Sequence, residues 1–252
     1  MSVPRTTQGP YPLALSSEPE VRRERILAAA LEVMSRKGFH RTSIAEISAR
    51  ARVSRAAVYR YFRTKRHVLA AIADSVADCT IGAVDGWAPM PSGPSTEEPR
   101  ELISRLRLML DTRASQVLTA ILVDADAARL VFRPDRGIDE LTDDAMRRID
   151  AHLVRVIGQD VQTAIDRGWA RPCDAPTIAR YLLGGIEKLL IDALDPERPV
   201  PLDKPAVARE IGALVFFGLA RSHLIALALD PDQPAPDRGR AGHPTHGEEK
   251  QD

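Results

Sequence analysis

Apolar residues recur every three to four positions through most of the chain. No segment alternates with the period of two expected of a half-buried strand. The first run opens at Ser17-Glu18-Pro19-Glu20, where an N-cap serine, a glutamate three residues on and a proline in the first turn start a helix. Ile26, Leu27, Ala30, Leu31 and Met34 form its inner stripe, and Lys37-Gly38 ends it. Ser43 and Glu46 form a capping box that opens a short second helix with Ile44, Ile47 and Ala51 inward. Val53-Ser54 breaks it, and a third helix runs from Arg55 to about Phe62. Thr64 then caps a fourth, whose apolar face is Val68, Leu69, Ile72 and Val76. After the loop GWAPMPSGPSTEEP, Gly86–Pro99, the pattern predicts five more helices: 99–113, 115–131, 138–168 with a kink near Gly158, 174–195 and 204–229. Breaks are expected at Pro134, Gly168, Pro172, Pro196, Pro199 and Pro201. The fold class is therefore all-α, with about nine helices.

Composition agrees. The chain has 252 residues, 44% apolar but only 4% aromatic, so its core is aliphatic. The expected organisation is a flexible arm at 1–17, a small helical domain at 18–80, a helix end and linker at 81–99, a larger helical domain at 100–229 and a disordered tail at 230–252.

Net charge is zero, yet residues 21–80 hold thirteen Arg and Lys against five Asp and Glu. A basic module joined to an acidic remainder is the asymmetry of a nucleic-acid binder with a second, non-binding domain. The plainer alternative is a solvated basic surface. Cys79 and Cys173 lie far apart without a Cys or His partner at metal spacing, which predicts free thiols in a reducing cytoplasm and no metal or cofactor site. No signal-peptide pattern is present. The apolar run Ile211–Leu229 is interrupted by Arg221, Ser222 and His223, which argues for a core or interface helix over a membrane span.

The stretch SARARVSRAAVYRYFRTKR, Ser48–Arg66, gives the charge a geometry. Two short helices joined by about four residues, over roughly 43–62, make a helix-turn-helix, whose second helix enters a DNA major groove. Val58 and Phe62 face its support. Arg55, Ala56, Tyr59, Arg60 and Arg63 fall on the opposite side, with Tyr61 at the boundary. Ser43, Ser54 and Thr64 each stand at a helix N-terminus, where free N–H groups suit phosphate. Lys65 suits a backbone clamp. Packing of Tyr59 and Tyr61 into the core is the competing reading.

The sequence RRERILAAALEVMSRKGFHRTSIAEISARARVSRAAVYRYFRTKRHVLAAI resembles the N-terminal domain of the TetR family of bacterial transcription regulators. The likeness rests on Lys37-Gly38-Phe39, Thr42-Ser43-Ile44 with Ile47, Val53-Ser54, Val58-Tyr59-x-Tyr61-Phe62 and Lys65 followed by Val68-Leu69. One departure is Arg52, where the family usually has glycine in the turn. Either a non-glycine residue is held in the left-handed region there or one more positive charge is added near DNA. The resemblance implies that Thr42 and Ser43 contact phosphate, that Arg55, Ala56, Tyr59 and Arg60 face the groove, and that Tyr61 and Lys65 meet the backbone. Arg55 is the expected base reader, since arginine pairs bidentately with guanine.

It further implies a ligand-responsive regulator, more often a repressor, that binds a palindromic double-stranded operator as a homodimer. Ile178, Leu182 and Leu189 stripe one helix, and Ile211, Leu214, Val215, Gly218 and Leu219 the last. With Gly184, Gly185 and Gly212 these offer a dimer surface, although the monomer core would use the same stripes. The middle helices would enclose a small-molecule effector of apolar character, with Trp87, Phe132, His152, Trp169 and Tyr181 as candidate wall residues. Two rival classes stand beside this reading. An enzyme would need more than Asp124-x-Asp126 and Asp143-Asp144, which suit caps or a solvated face. A protein-binding helical adaptor leaves Arg55, Tyr59 and Arg60 unexplained.

Overall fold

The structure, a computed structural model, describes residues 18–90, 98–132, 140–195 and 197–229. The predicted arm and tail, residues 91–97 of the linker, Pro134 and Pro196 lie outside the described residues. Among the described residues ten α-helices follow one another: α1 Glu18–Arg41, α2 Ile44–Arg50, α3 Arg55–Tyr61, α4 Lys65–Asp85, α5 Pro99–Ile121, α6 Ala125–Val131, α7 Glu140–Asp166, α8 Ala175–Ala193, α9 Lys204–Leu219 and α10 Ser222–Leu229. There is no strand among them, only an antiparallel bridge between Ala170 and Ala220.

The first four helices begin and end where their caps dictate. Gly38 has φ 78° inside α1, so the regular helix stops there, and a last turn follows that carries the buried Phe39. Ser43 accepts from the Glu46 amide while Glu46 accepts from the Ser43 amide. Ser54 and Thr64 cap α3 and α4 in the same manner, accepting from Ala57 and His67. These short-range caps satisfy donors that short helices cannot satisfy internally.

Three boundaries differ from the sequence pattern. The break expected near residue 114 is absent. Arg113 and Ala114 are buried mid-helix, and the stop falls at a 3₁₀ turn, Leu122–Asp124. Asp124 accepts from the amides of Asp126 and Ala127, which makes it the start signal of α6. The helix expected over 204–229 is two, because Ala220 is extended between them. There the Arg171 amide donates to Leu219 O at 2.8 Å and the Arg221 amide to Trp169 O at 2.9 Å, so the α7–α8 turn captures the α9–α10 junction. α7 runs unbroken through Gly158.

One apolar cluster runs from Ile26 in α1 through Ile47, Val58 and Val68 to Leu118, Leu153 and Leu190. The basic head and the body therefore share a continuous core, with α4 as the common member: its first half closes the head and its second half packs on α7 and α5. α4 is also the one described helix long and apolar enough to cross a membrane, and half of that apolar stretch is buried in the fold. A second cluster, with Leu102, Leu106, Trp169, Phe216 and Leu224, closes the far end. α9 lies along α5, and the approach is tightest at Gly212, where a Cβ would overlap the Asp111 carboxylate and come 3.1 Å from its amide nitrogen. The glycine is thus needed inside the protomer. Gly184, Gly185 and Gly218 face open space.

Candidate functional site

The head presents α3 outward. Val58 is fully buried and Phe62 nearly so, which fixes the helix against the core of the head, next to α2. Arg55, Ala56, Tyr59 and Arg60 are exposed on the other side, with Tyr59 at 53%. Tyr61 is half-buried against the core cluster, and the Arg60 guanidinium lies 5.4 Å from its ring centre. The core reading therefore describes Tyr61, and the outward reading describes Tyr59. Arg52, Arg55 and Arg63 have no ion-pair partner among the described residues. Arg22, Arg36 and Arg50, on other faces of the head, are paired with Glu18 or Glu32. The arginines left without a carboxylate on this face give it a positive potential of the kind that suits an anion.

The α2–α3 turn holds Arg52 at φ 54°, in the left-handed region. Ala51, Arg52 and Val53 amides return to Ile47, Ala49 and Ser48 carbonyls, so the conformation is imposed by the end of α2. A non-glycine residue there costs on the order of 1 kcal/mol.

Two expected phosphate contacts are corrected. Thr42 is 3% exposed, and its hydroxyl donates to Gly38 O at 2.9 Å, so the side chain points into the α1–α2 corner. Lys65 turns the same way. Its ammonium donates to Phe39 O at 2.7 Å, His40 O at 3.1 Å and Thr42 O at 2.8 Å, and stands 4.4 Å from the centre of the Phe39 ring. All three donors of a lysine are thereby occupied. Burial pushes its pKa below the usual lysine range, and Glu46 opposes that. Ser43 and Ser54 are exposed at their helix starts but engaged as caps. Glu46 is held down to a pKa of about 2 by the Lys37 ammonium and then by the Ser43 amide and hydroxyl.

A cavity of about 140 Å³ lies in the body between α5, α7, α8 and α9. Its walls are aliphatic and aromatic, and include Trp87, Leu106, Val117, Ile157, Trp169 and Phe216. Of the four predicted ligand residues, Trp169 alone lines it. Phe132 is buried at the end of α6 in the shared core. His152 sits on α7 with Nε2 2.9 Å from Asp85 Oδ1, outside the cavity. Tyr181 is 74% exposed on α8. Trp87, also weighed from the sequence, does line it. Arg113 and Asp160 form an ion pair in the cavity wall that sequence reasoning missed. The partners are 47 residues apart and meet only when α5 crosses α7, so no local pattern could have signalled them.

The predicted dimer residues divide between two faces. Leu182, Ile211 and Val215 line the cavity, so they belong to the protomer's interior. Tyr181, Gly185 and Leu189 on α8, and Leu214 and Gly218 on α9, are exposed at helical spacing, with Leu214 at 64%. Ile178 is half-buried beside them. The acidic candidates for catalysis are spent locally. Asp124 caps α6, Asp126 pairs with Arg129, and Asp144 pairs with Arg147.

Residues 26–72, the basic head, match the family of bacterial regulatory proteins called tetR, a family of transcriptional regulators and not of enzymes. The chain is 32% identical over 84 residues to an uncharacterized HTH-type transcriptional regulator, YvdT, of Bacillus subtilis. That match covers 33% of this chain and 37% of the relative. It is 25% identical over 172 residues to the nucleoid occlusion factor SlmA of Photobacterium profundum, covering 66% of this chain and 80% of that protein. The fold is that of SmeT, the repressor of the Stenotrophomonas maltophilia multidrug efflux pump SmeDEF, with a TM-score of 0.59 and 20% identity over 82% of this chain and 95% of that one.

Proposed function

We propose that this chain, which carries the N-terminal domain of the TetR family, is a transcriptional regulator that binds a palindromic duplex as a homodimer and releases it in response to a small molecule. The observation that carries the DNA-binding part is the division of α3. Val58 and Phe62 anchor it, while Arg55, Ala56, Tyr59 and Arg60 stand exposed on a face whose arginines lack carboxylate partners. A helix so mounted offers guanidinium and phenol groups to base edges and phosphates, with Ala56 small enough for close approach. Arg55, at the N-terminal end, is the base reader in this proposal.

The exposed stripe of Tyr181, Gly185, Leu189, Leu214 and Gly218 supports symmetric pairing in this reading. Large apolar side chains at such exposure mark an interface, and open glycines beside them admit a partner helix. Two heads would then read half-sites on one face of the duplex. The apolar cavity beside that interface is the effector site in this reading. SmeT is also known as a complex with triclosan, and that likeness supports an apolar ligand here. A ligand acts only by its differential affinity for two arrangements of the pair. Repression is the direction typical of relatives such as SmeT, and a cytoplasmic location follows from the target.

The test is duplex binding by the purified chain on genomic fragments that it retains. Affinity falls steeply as salt rises, because phosphate counterions are released. Arg55→Ala removes discrimination at one base pair per half-site, about 1–3 kcal/mol. Leu214→Glu yields monomers in sedimentation. Unchanged base preference in Arg55→Ala would reject the assigned reader.

A further inference from the structure

We propose that the body cavity selects small, electrically neutral molecules: a ring-sized apolar body carrying one hydrogen-bond acceptor, which takes the indole N–H of Trp87. This rests on the cavity being a ligand site, as read above, and adds the chemistry of its occupant.

Three features define that chemistry. The first is size. A cavity of about 140 Å³ compares with engineered apolar cavities near 150 Å³ that hold benzene. It suits one six-membered ring and a short substituent.

The second is charge. Arg113 and Asp160 are the only ionisable residues among those lining it. They are paired to each other. Arg113 also donates through Nη2 to Ala88 O at 2.6 Å, and its guanidinium lies 4.9 Å from the Trp87 ring centre. The guanidinium is therefore held by a carboxylate, a carbonyl and an aromatic face. An entering carboxylate would have to displace Asp160 and leave one anion uncompensated among apolar side chains. An entering ammonium would do the same to Arg113. Breaking a buried pair in this way is costly, whereas a neutral molecule leaves it intact. Burial pushes the Asp160 carboxyl up and the Arg113 guanidinium down, each opposed by its partner, which is the environment that penalises a further charge.

The third is an unused donor. Trp87 Nε1 is buried and has no hydrogen-bond partner among the described residues. A buried N–H without an acceptor is unfavourable, and a buried indole N–H ordinarily finds one. Trp87 stands in the cavity wall with Nε1 closed over by its neighbours, so a ligand that brings an acceptor and displaces the side chains covering Nε1 gains a hydrogen bond that they do not offer.

The experiment is calorimetric titration of the purified full chain at pH 7 with four molecules of nearly equal shape: acetophenone, ethylbenzene, benzoate and benzylammonium. Acetophenone is expected to bind at least about fivefold tighter than ethylbenzene, and benzoate and benzylammonium at least about tenfold weaker than acetophenone. In Trp87→Phe the acetophenone advantage disappears while ethylbenzene binding persists, which also shows that the variant folds and keeps its cavity. Benzoate or benzylammonium binding as tightly as acetophenone overturns the inference. So does an acetophenone preference that survives Trp87→Phe, or a chain that binds none of the four. Selective acetophenone binding with no change in duplex affinity supports the selectivity and rejects the effector role assigned to the cavity.

Discussion

The ammonium of Lys65, at the start of α4, donates to the carbonyl of Phe39, at the end of α1, across 26 positions of sequence and 2.7 Å of space. His40 and Thr42 carbonyls complete its shell. Helix α1 ends there, the chain turning by way of Gly38, and the Phe39 carbonyl accepts from the Thr42 amide at 3.2 Å as well as from Lys65. Lys65 is the charged cap of that corner, and it fixes the angle between α1 and α2.

Lys65→Ala is therefore expected to lower stability by about 1–3 kcal/mol, the range for hydrogen bonds to a charged donor at a partly buried site. Urea denaturation measures it. DNA affinity falls as well, but the slope of log affinity against log salt stays near that of the parent chain. A phosphate clamp predicts the reverse: unchanged stability and a slope shallower by about one. That reverse pattern would reject the structural role.

How far the sequence reveals such features depends on their range. The boxes at Ser43-Glu46, Ser54 and Thr64 are legible because cap and amide are three residues apart. The outward set on α3 is legible because Val58 and Phe62 fix its phase. The role of Lys65 is not, since its acceptors are backbone atoms more than twenty residues away. The same holds for Arg113 and Asp160, which look like ordinary surface charges in two amphipathic patterns. The stripes of α8 and α9 are each visible, yet periodicity does not say which flank faces the cavity. Leu182 and Val215 went inward while Tyr181 and Leu214, one position earlier in each case, stayed out.

Glu46 gives the head an acid sensitivity whose sign is fixed. Its pKa is about 2 in the fold against 4.5 as the ordinary value, because Lys37 and the Ser43 amide favour the carboxylate. A depressed pKa stabilises the fold above the ordinary value, and that contribution is lost as pH falls from about 4.5 towards 2. Denaturation midpoints of the parent chain and Glu46→Gln should differ at pH 6, draw together as pH falls below about 4.5, and converge only near pH 2. A constant difference across that range would reject the assignment.

Arg52 is held at φ 54° by the amide returns at the end of α2. Glycine adopts that conformation without a Cβ clash, so Arg52→Gly is expected to raise stability by about 0.5–1 kcal/mol, less the extra freedom of glycine in the unfolded chain. If the exposed guanidinium also meets phosphate, the same variant binds duplex more weakly with a shallower salt slope. Thermal unfolding and duplex titration on one preparation separate the two effects.

Arg148 on α7 is a polar link between α7, which lines the cavity, and α4, which packs in the head. Its two terminal nitrogens lie 3.0 Å from Asp74 and 2.6 Å from Asp78, successive turns of α4, and His152 one turn further meets Asp85. α7 carries Leu153, Ile157 and Asp160 into the cavity, and α4 begins beside α3. A ligand that shifts α7 must move α4 through this seam if it is to reorient the recognition helix. Each pair is largely exposed, so Arg148→Ala should cost only about 1 kcal/mol of stability. Its larger expected effect is on communication. Ligand affinity of the free chain stays close to the parent value, while the factor by which ligand weakens duplex binding falls at least about fivefold, a loss of about 1 kcal/mol of coupling. By reciprocity, the factor by which duplex weakens ligand binding must fall equally. Measuring both arms of that cycle with acetophenone decides the matter. A coupling factor unchanged in Arg148→Ala would place the transmission elsewhere in the α4–α7 contact.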